Sequence, residues 1–150
     1  MKIWVDADAC PGEVKHLLFR AARRCQIQVT LVANMSLHTP ASQYIDSVVV
    51  SAGTDVADEH IAQNMRAGDI VVTADIPLAG LIVEAGGVAI DPRGVLYTEH
   101  NIGSRLQTRN LTDQLRAAGI ESGGPRPFGD RDKQAFANQL DKLLVKRHQA

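Results

Sequence analysis

Several protein classes are excluded by what this sequence lacks. It has two cysteines, Cys10 and Cys25, with no C-x-x-C pair and no histidine at finger spacing, which argues against a zinc module. No apolar run approaches the roughly 18 residues of a membrane span, and the first residues lack the basic and apolar regions of a signal peptide. A cytoplasmic protein with no membrane partner is therefore the expectation. No repeat, low-complexity run or linker interrupts the 150 residues, so a single domain over 1–150 is expected. Lysine is absent between residues 16 and 132.

What is present is ordinary for a globular chain: 45% apolar and 22% charged residues. The net charge of −1 conceals an asymmetry. Residues 1–92 carry six Lys/Arg against eleven Asp/Glu, and residues 93–150 carry ten against six. An acidic front with a basic back allows a metal site beside a surface that attracts phosphates, although a basic helical tail is also an ordinary solvated face.

The first eleven residues organise the rest. Ile3, Trp4 and Val5 form the apolar run of a buried parallel strand. Asp6 and Asp8 follow where it ends, and Pro11 suits the first turn of a helix. Ligands of open α/β sheets bind at that carboxyl edge. In an extended chain Asp6 and Asp8 point the same way, and two such carboxylates repel unless a cation or a proton lies between them. Oxygen ligands of this kind suit Mg²⁺ or Mn²⁺. The competing reading is local: Asp8 caps the helix and Asp6 accepts loop N–H groups.

The same design recurs. Val14, Leu17, Leu18, Ala21 and Ala22 make one helical stripe over about 11–24. Strand two, 28–33, ends at Asn34, and strand three is read at 47–51. Asp55 and Asp58 open a helix with Val56, Ala57, Ile61 and Met65 on its apolar face, where acids also serve as caps. Strand four, 70–73, leads to Asp75 and then Pro77, a second strand–acid–proline–helix junction. A short helix, 78–84, stops at Gly86-Gly87, and strand five is 88–90. Asp91-Pro92-Arg93-Gly94 fits a type I turn and leaves Asp91 at another strand end. Residues 99–119 read as helix, with Ile102, Leu106, Leu111, Leu115 and Ala118 apolar. The Gly/Pro-dense stretch 123–129 reads as loop, and Asp130 caps a last helix with Phe136, Leu140, Leu143 and Leu144 inward. The expected fold class is α/β: a three-layer, mostly parallel sheet flanked by helices, with C-terminal helices.

With these residues in view, the sequence resembles the YaiI/YqxD family of uncharacterised bacterial proteins. The resemblance is carried by V-D-A-D-A-C-P at 5–11, V-A-N at 32–34, G-T-D-V-A-D at 53–58, G-D-I-V-V-T-A-D-I-P-L-A at 68–79, D-P-R-G at 91–94 and G-G-P-R-P-F at 123–128. That family looks like a distant relative of the PIN-domain nucleases, which gather acids at the carboxyl edge of a parallel sheet, hold one or two Mg²⁺ or Mn²⁺ ions, and cleave RNA or DNA. The resemblance implies a PIN-like domain in which Asp6 and Asp75 are catalytic metal ligands. Asp55 or Asp58 would stand for the acid on a middle helix, and Asp8 and Asp91 could complete the cluster.

The leading expectation is phosphodiester hydrolysis by metal-activated water. Asp6, Asp8, Asp58 and Asp75 would hold the metal, with Asn34, Asp55 and Asp91 on the rim. Arg126 and Arg131 would contact phosphates of a nucleic acid, RNA ahead of DNA. One rival is a haloacid-dehalogenase-type phosphatase, with Asp6 attacking and Asp8 as acid/base. It wants a Ser or Thr after strand two, where this chain has Asn34, and a lysine near the phosphate. The other rival is a non-catalytic RNA- or protein-binding domain.

Overall fold

The computed structural model describes residues 1–53, 55–119 and 127–149. The chain runs β1 (Lys2–Asp6), a 3-10 turn (Ala7–Ala9), α1 (Gly12–Cys25), β2 (Gln28–Ala33), β3 (Ile45–Val49), α2 (Val56–Asn64), β4 (Ile70–Val72), α3 (Ile76–Glu84), β5 (Val88–Ile90), β6 (Leu96–Tyr97), α4 (Glu99–Ala117) and α5 (Asp130–Gln149). The strands form one sheet in the order β3-β2-β1-β4-β5-β6. All neighbours are parallel except β5 and β6.

Strand periodicity divides the core between two faces. Ile3 and Val5 of β1, Val29 and Leu31 of β2, Ile70 and Val72 of β4 and Ile90 of β5 point to one side, where Val14 and Leu18 of α1 and Phe136 and Leu140 of α5 cover them. Trp4, Val32, Val71 and Ala89 point to the other, against Ile61 of α2 and Leu78 and Ile82 of α3. The result is the three-layer α/β architecture that the alternating pattern implies.

Asp69 and Asp132 are buried and structural. Asp69, buried just before β4, accepts from the backbone N–H groups of Lys2 (3.0 Å) and Arg66 (2.9 Å) and from the Trp4 indole (3.1 Å). The buried Asp132 is held likewise by Arg93 (2.9 Å) and the Gly129 N–H (3.1 Å).

Several boundaries differ from the sequence reading. β3 begins two residues earlier, because Ile45 is the residue that registers with Val29. α3 begins at Ile76, with Pro77 inside its first turn. Pro11 is the N-cap of α1 rather than its first helical residue. The turn after β5 returns the chain as the short antiparallel strand β6. On α4, Leu111 is 57% exposed, so the expected apolar stripe is not buried along its length.

Candidate metal centre at the carboxyl edge

The sheet order sets the place. From β1 the chain moves outward through β2 to β3, then α2 carries it back over β1 and β2 to β4 on the other flank. The carboxyl ends of β1 and β4 are therefore a topological switch point, where open α/β sheets form a ligand crevice. Asp6 ends β1, Thr73 and Asp75 follow β4, and Asp55 and Asp58 begin the crossover helix α2.

Three of these acids converge. Asp55, Asp58 and Asp75 each present a carboxylate oxygen within 4.8 Å of the other two. The helix-cap reading does not account for Asp55. Asp55 is the N-cap of α2, but its side chain makes no capping hydrogen bond, and its backbone lies in the left-handed region at φ 66°. Asp75 does cap α3, with Oδ1 accepting from the Leu78 N–H at 2.8 Å. One oxygen suffices for that bond, so capping and ligation are compatible.

The charges in this cluster strain against each other. Burial, together with Asp75, which shares a hydrogen bond with it, pushes the Asp58 carboxyl up to about 7; Asp6 and Asp55 add to the effect. Burial also raises the Asp6 carboxyl. The Thr73 hydroxyl opposes that shift by donating to Asp6 Oδ2 at 3.2 Å, while the charges of Asp75 and Asp8 reinforce it. Thr73 Oγ1 in turn accepts from the Asp75 N–H at 3.0 Å, so one hydroxyl ties the ends of β1 and β4 together. Packed carboxylates with raised pKa values hold a proton where a cation would otherwise stand. The donor set is all oxygen and anionic, which fits Mg²⁺ or Mn²⁺.

Of the remaining sequence-derived residues, Asp8, Asn34 and Asp91 lie at neighbouring strand ends. The 3-10 turn breaks the extended geometry after Asp6, and the Asp8 carboxylate accepts from the Asn34 N–H at 3.1 Å, bridging the ends of β1 and β2. Asp8 and Asn34 are both exposed. Asp91 serves its own turn, accepting from the Arg93 N–H and, at 3.5 Å, from the Tyr97 hydroxyl. It faces a separate cavity lined by Ala9, Pro11, Ala74, Pro92, Arg93 and Phe128. Arg131 is exposed in the first turn of α5 and does not line the acid cavity; Arg126 lies outside the described residues. Cys10 is buried, and its thiol is pushed up to about 12 by that burial, as befits a packing residue.

The acid cavity, about 400 Å³, also has an arginine that the sequence reading passed over. Arg109 of α4 lines it together with Asp55, Asp58, Asp75 and the apolar Pro77, Leu78 and Leu81. The available signal was the i, i+4 spacing of Arg105 and Arg109 on a helix already legible in the sequence.

Comparison with known proteins agrees with the sequence motifs. The model of the uncharacterised YaiI/YqxD family matches residues 4–146. A UPF0178 protein of Shewanella woodyi is 55% identical over 148 residues, covering 99% of this chain and 98% of the relative. One from Dechloromonas aromatica is 58% identical over 146 residues, covering 97% of each. No solved structure matches the chain. Motifs, family model and full-length relatives coincide, and the chain belongs to the YaiI/YqxD family.

Proposed function

We propose that the protein is a divalent-metal-dependent nuclease that hydrolyses phosphodiester bonds of RNA or DNA. The observation that carries this reading is the convergence of Asp55, Asp58 and Asp75, from two different β–α junctions, at the switch point of the sheet. Acids at the carboxyl edge of a mostly parallel sheet are compatible with the PIN-type nucleases that the sequence resembles. Asp58 and Asp75 would be the principal ligands, with Asp55 completing the set and Asp6 beside it. When bound, a divalent cation supplies Lewis-acid stabilisation of phosphate charge and acidifies water.

The chain's own residues do the rest. Thr73 holds Asp6 and Asp75 in register, and the α3 cap fixes the orientation of Asp75. The phosphatase alternative asks Asp8 to act as acid/base, yet its carboxylate is engaged with the Asn34 N–H. The test is a Mn²⁺ titration by calorimetry of the wild type and of Asp58→Asn/Asp75→Asn, followed by cleavage assays on RNA and single-stranded DNA. Heat and cleavage that vanish together in the variant are expected. Metal binding without cleavage would leave a binding domain, and no heat at millimolar Mn²⁺ would remove the hydrolase reading.

A further inference from the structure

A second cavity, about 450 Å³, adjoins the acid cavity and shares Arg109 with it. Its lining is Ile76, Asn101, Ser104, Arg105, Thr108 and Arg109, so two guanidinium groups meet amide and hydroxyl groups of the same helix face. The guanidinium groups are the anion-binding donors here, because the Asn101 amide already donates to the Leu96 carbonyl and the Thr108 hydroxyl to the Ser104 carbonyl. Among the described residues, no acidic side chain is in that lining. Arg105 lies over the Tyr97 ring at 5.6 Å, which orients it. Arg105 is within ion-pair distance of none of the described acids, although its charge is felt by Asp91.

The fold fixes this helix face against the acids. Thr98 and Asn101 form a reciprocal cap at the start of α4: the Asn101 N–H donates to Thr98 Oγ1 at 3.2 Å, and the Thr98 N–H donates to Asn101 Oδ1 at 2.8 Å. Further along, Ile102 packs against α3 at Gly80, where an added Cβ would lie 3.6 Å from it. Arg105 and Arg109 are one turn apart, a rise of about 6 Å. This is comparable to the step between successive phosphates of an extended strand. The acid cavity between them and α2 has an apolar wall of Pro77, Leu78 and Leu81, with Leu81 54% exposed. An unpaired base can lie on such a wall, whereas a duplex keeps its bases stacked inside.

We propose that Arg105 and Arg109 form a phosphate subsite that grips the backbone of a single-stranded nucleic acid next to the phosphate at the acid cluster. This rests on the nuclease reading, for which it names the substrate class. Arg109 sits at the boundary of the two cavities and takes the phosphate nearer the acids; Arg105 takes the next one.

The test is fluorescence anisotropy with a labelled 12-nucleotide oligouridylate in EDTA, which prevents cleavage, over a series of salt concentrations. Wild type is compared with Arg105→Ala/Arg109→Ala, with Arg105→Lys/Arg109→Lys, and with Arg20→Ala, exposed on α1, as a remote control. The alanine pair is expected to weaken binding roughly tenfold or more and to flatten the slope of log K against log salt by about 1.4, for two single-strand phosphate contacts. The lysine pair should retain the slope, and Arg20→Ala should bind as wild type does. Mn²⁺ binding should persist in the alanine pair, with an affinity no weaker than that of wild type because a cation beside the acids has been removed, which separates this subsite from the acid cluster. An unchanged affinity and slope in the alanine pair would overturn the inference while leaving the nuclease reading standing. Tighter binding of a duplex of equal length would overturn the single-strand assignment. Failure of the wild type to bind any oligonucleotide would overturn the subsite, and the Mn²⁺ titration would then judge the acid cluster alone.

Discussion

Asp58 concentrates the electrostatic argument. Its carboxyl is raised from 3.8 to about 7, so the folded state holds a proton that the unfolded chain has already released. The folded protein then binds more protons than the unfolded one between those values, and stability must fall as pH rises through that window. Asp58 is half-buried, so solvent screening reduces the effect to on the order of 1–2 kcal/mol. Urea denaturation in EDTA from pH 4 to pH 8 should show this decline, and Asp58→Asn should flatten it. Mn²⁺ affinity runs the other way: it should increase over the same window, with proton release on binding that is visible as a buffer-dependent heat. Part of this was legible in the sequence, because strand-end acids before helices announce an acidic edge. Which acids meet was not legible. The 3-10 turn after Asp6 sends Asp8 toward Asn34, and the left-handed backbone of Asp55 releases its side chain from the helix end. Neither conformation has a periodic signature.

Elements were legible in proportion to their periodicity and length. β2 and β5 fall where the apolar runs QVTLVA and VAI place them, and α1 follows its stripe to within a residue at each end. β6 is two residues long, too short to show a period of two, and only its antiparallel pairing with Ala89 and Ile90 defines it. The turn that makes β6 possible also sets a close packing contact. Gly94 has φ +91°, and an added Cβ would lie 2.5 Å from the Ala135 carbonyl carbon and 2.8 Å from the Phe136 nitrogen. The turn therefore touches the backbone of α5 directly, next to the fully buried Phe136. Gly94→Ala adds left-handed strain to a backbone clash and should cost about 2–4 kcal/mol. A fall in the urea midpoint with an unchanged slope would show it. Because α5 covers the sheet face opposite α2 and α3, Mn²⁺ binding by the folded variant should persist.

At the scale of the whole molecule, the sheet order brings together acids that are distant in the chain. Asp55 and Asp58 belong to the crossover from β3 to β4, and Asp75 to the junction after β4, so a cation among them would link α2 to the cap of α3. The charge asymmetry has a spatial counterpart. The front-half acids line one cavity, and Arg105 and Arg109 from the back half line the next. In the metal-free protein the acids repel, and binding of a cation only to the folded state must stabilise it. At a Mn²⁺ concentration one hundred times Kd the gain is about 2.7 kcal/mol, roughly 5–10 °C in Tm for a chain of this length. Thermal unfolding followed by the fluorescence of Trp4, the single tryptophan, reads this directly. Asp58→Asn/Asp75→Asn should lose the shift. Without metal it should melt no lower than the wild type at pH 7, because Asn caps a helix as well as Asp does and the repulsion has been removed. If that variant instead melts lower in EDTA and Mn²⁺ fails to shift the wild type, the acids hold the sheet edge together as structural residues, and a metal-dependent reaction has no site here.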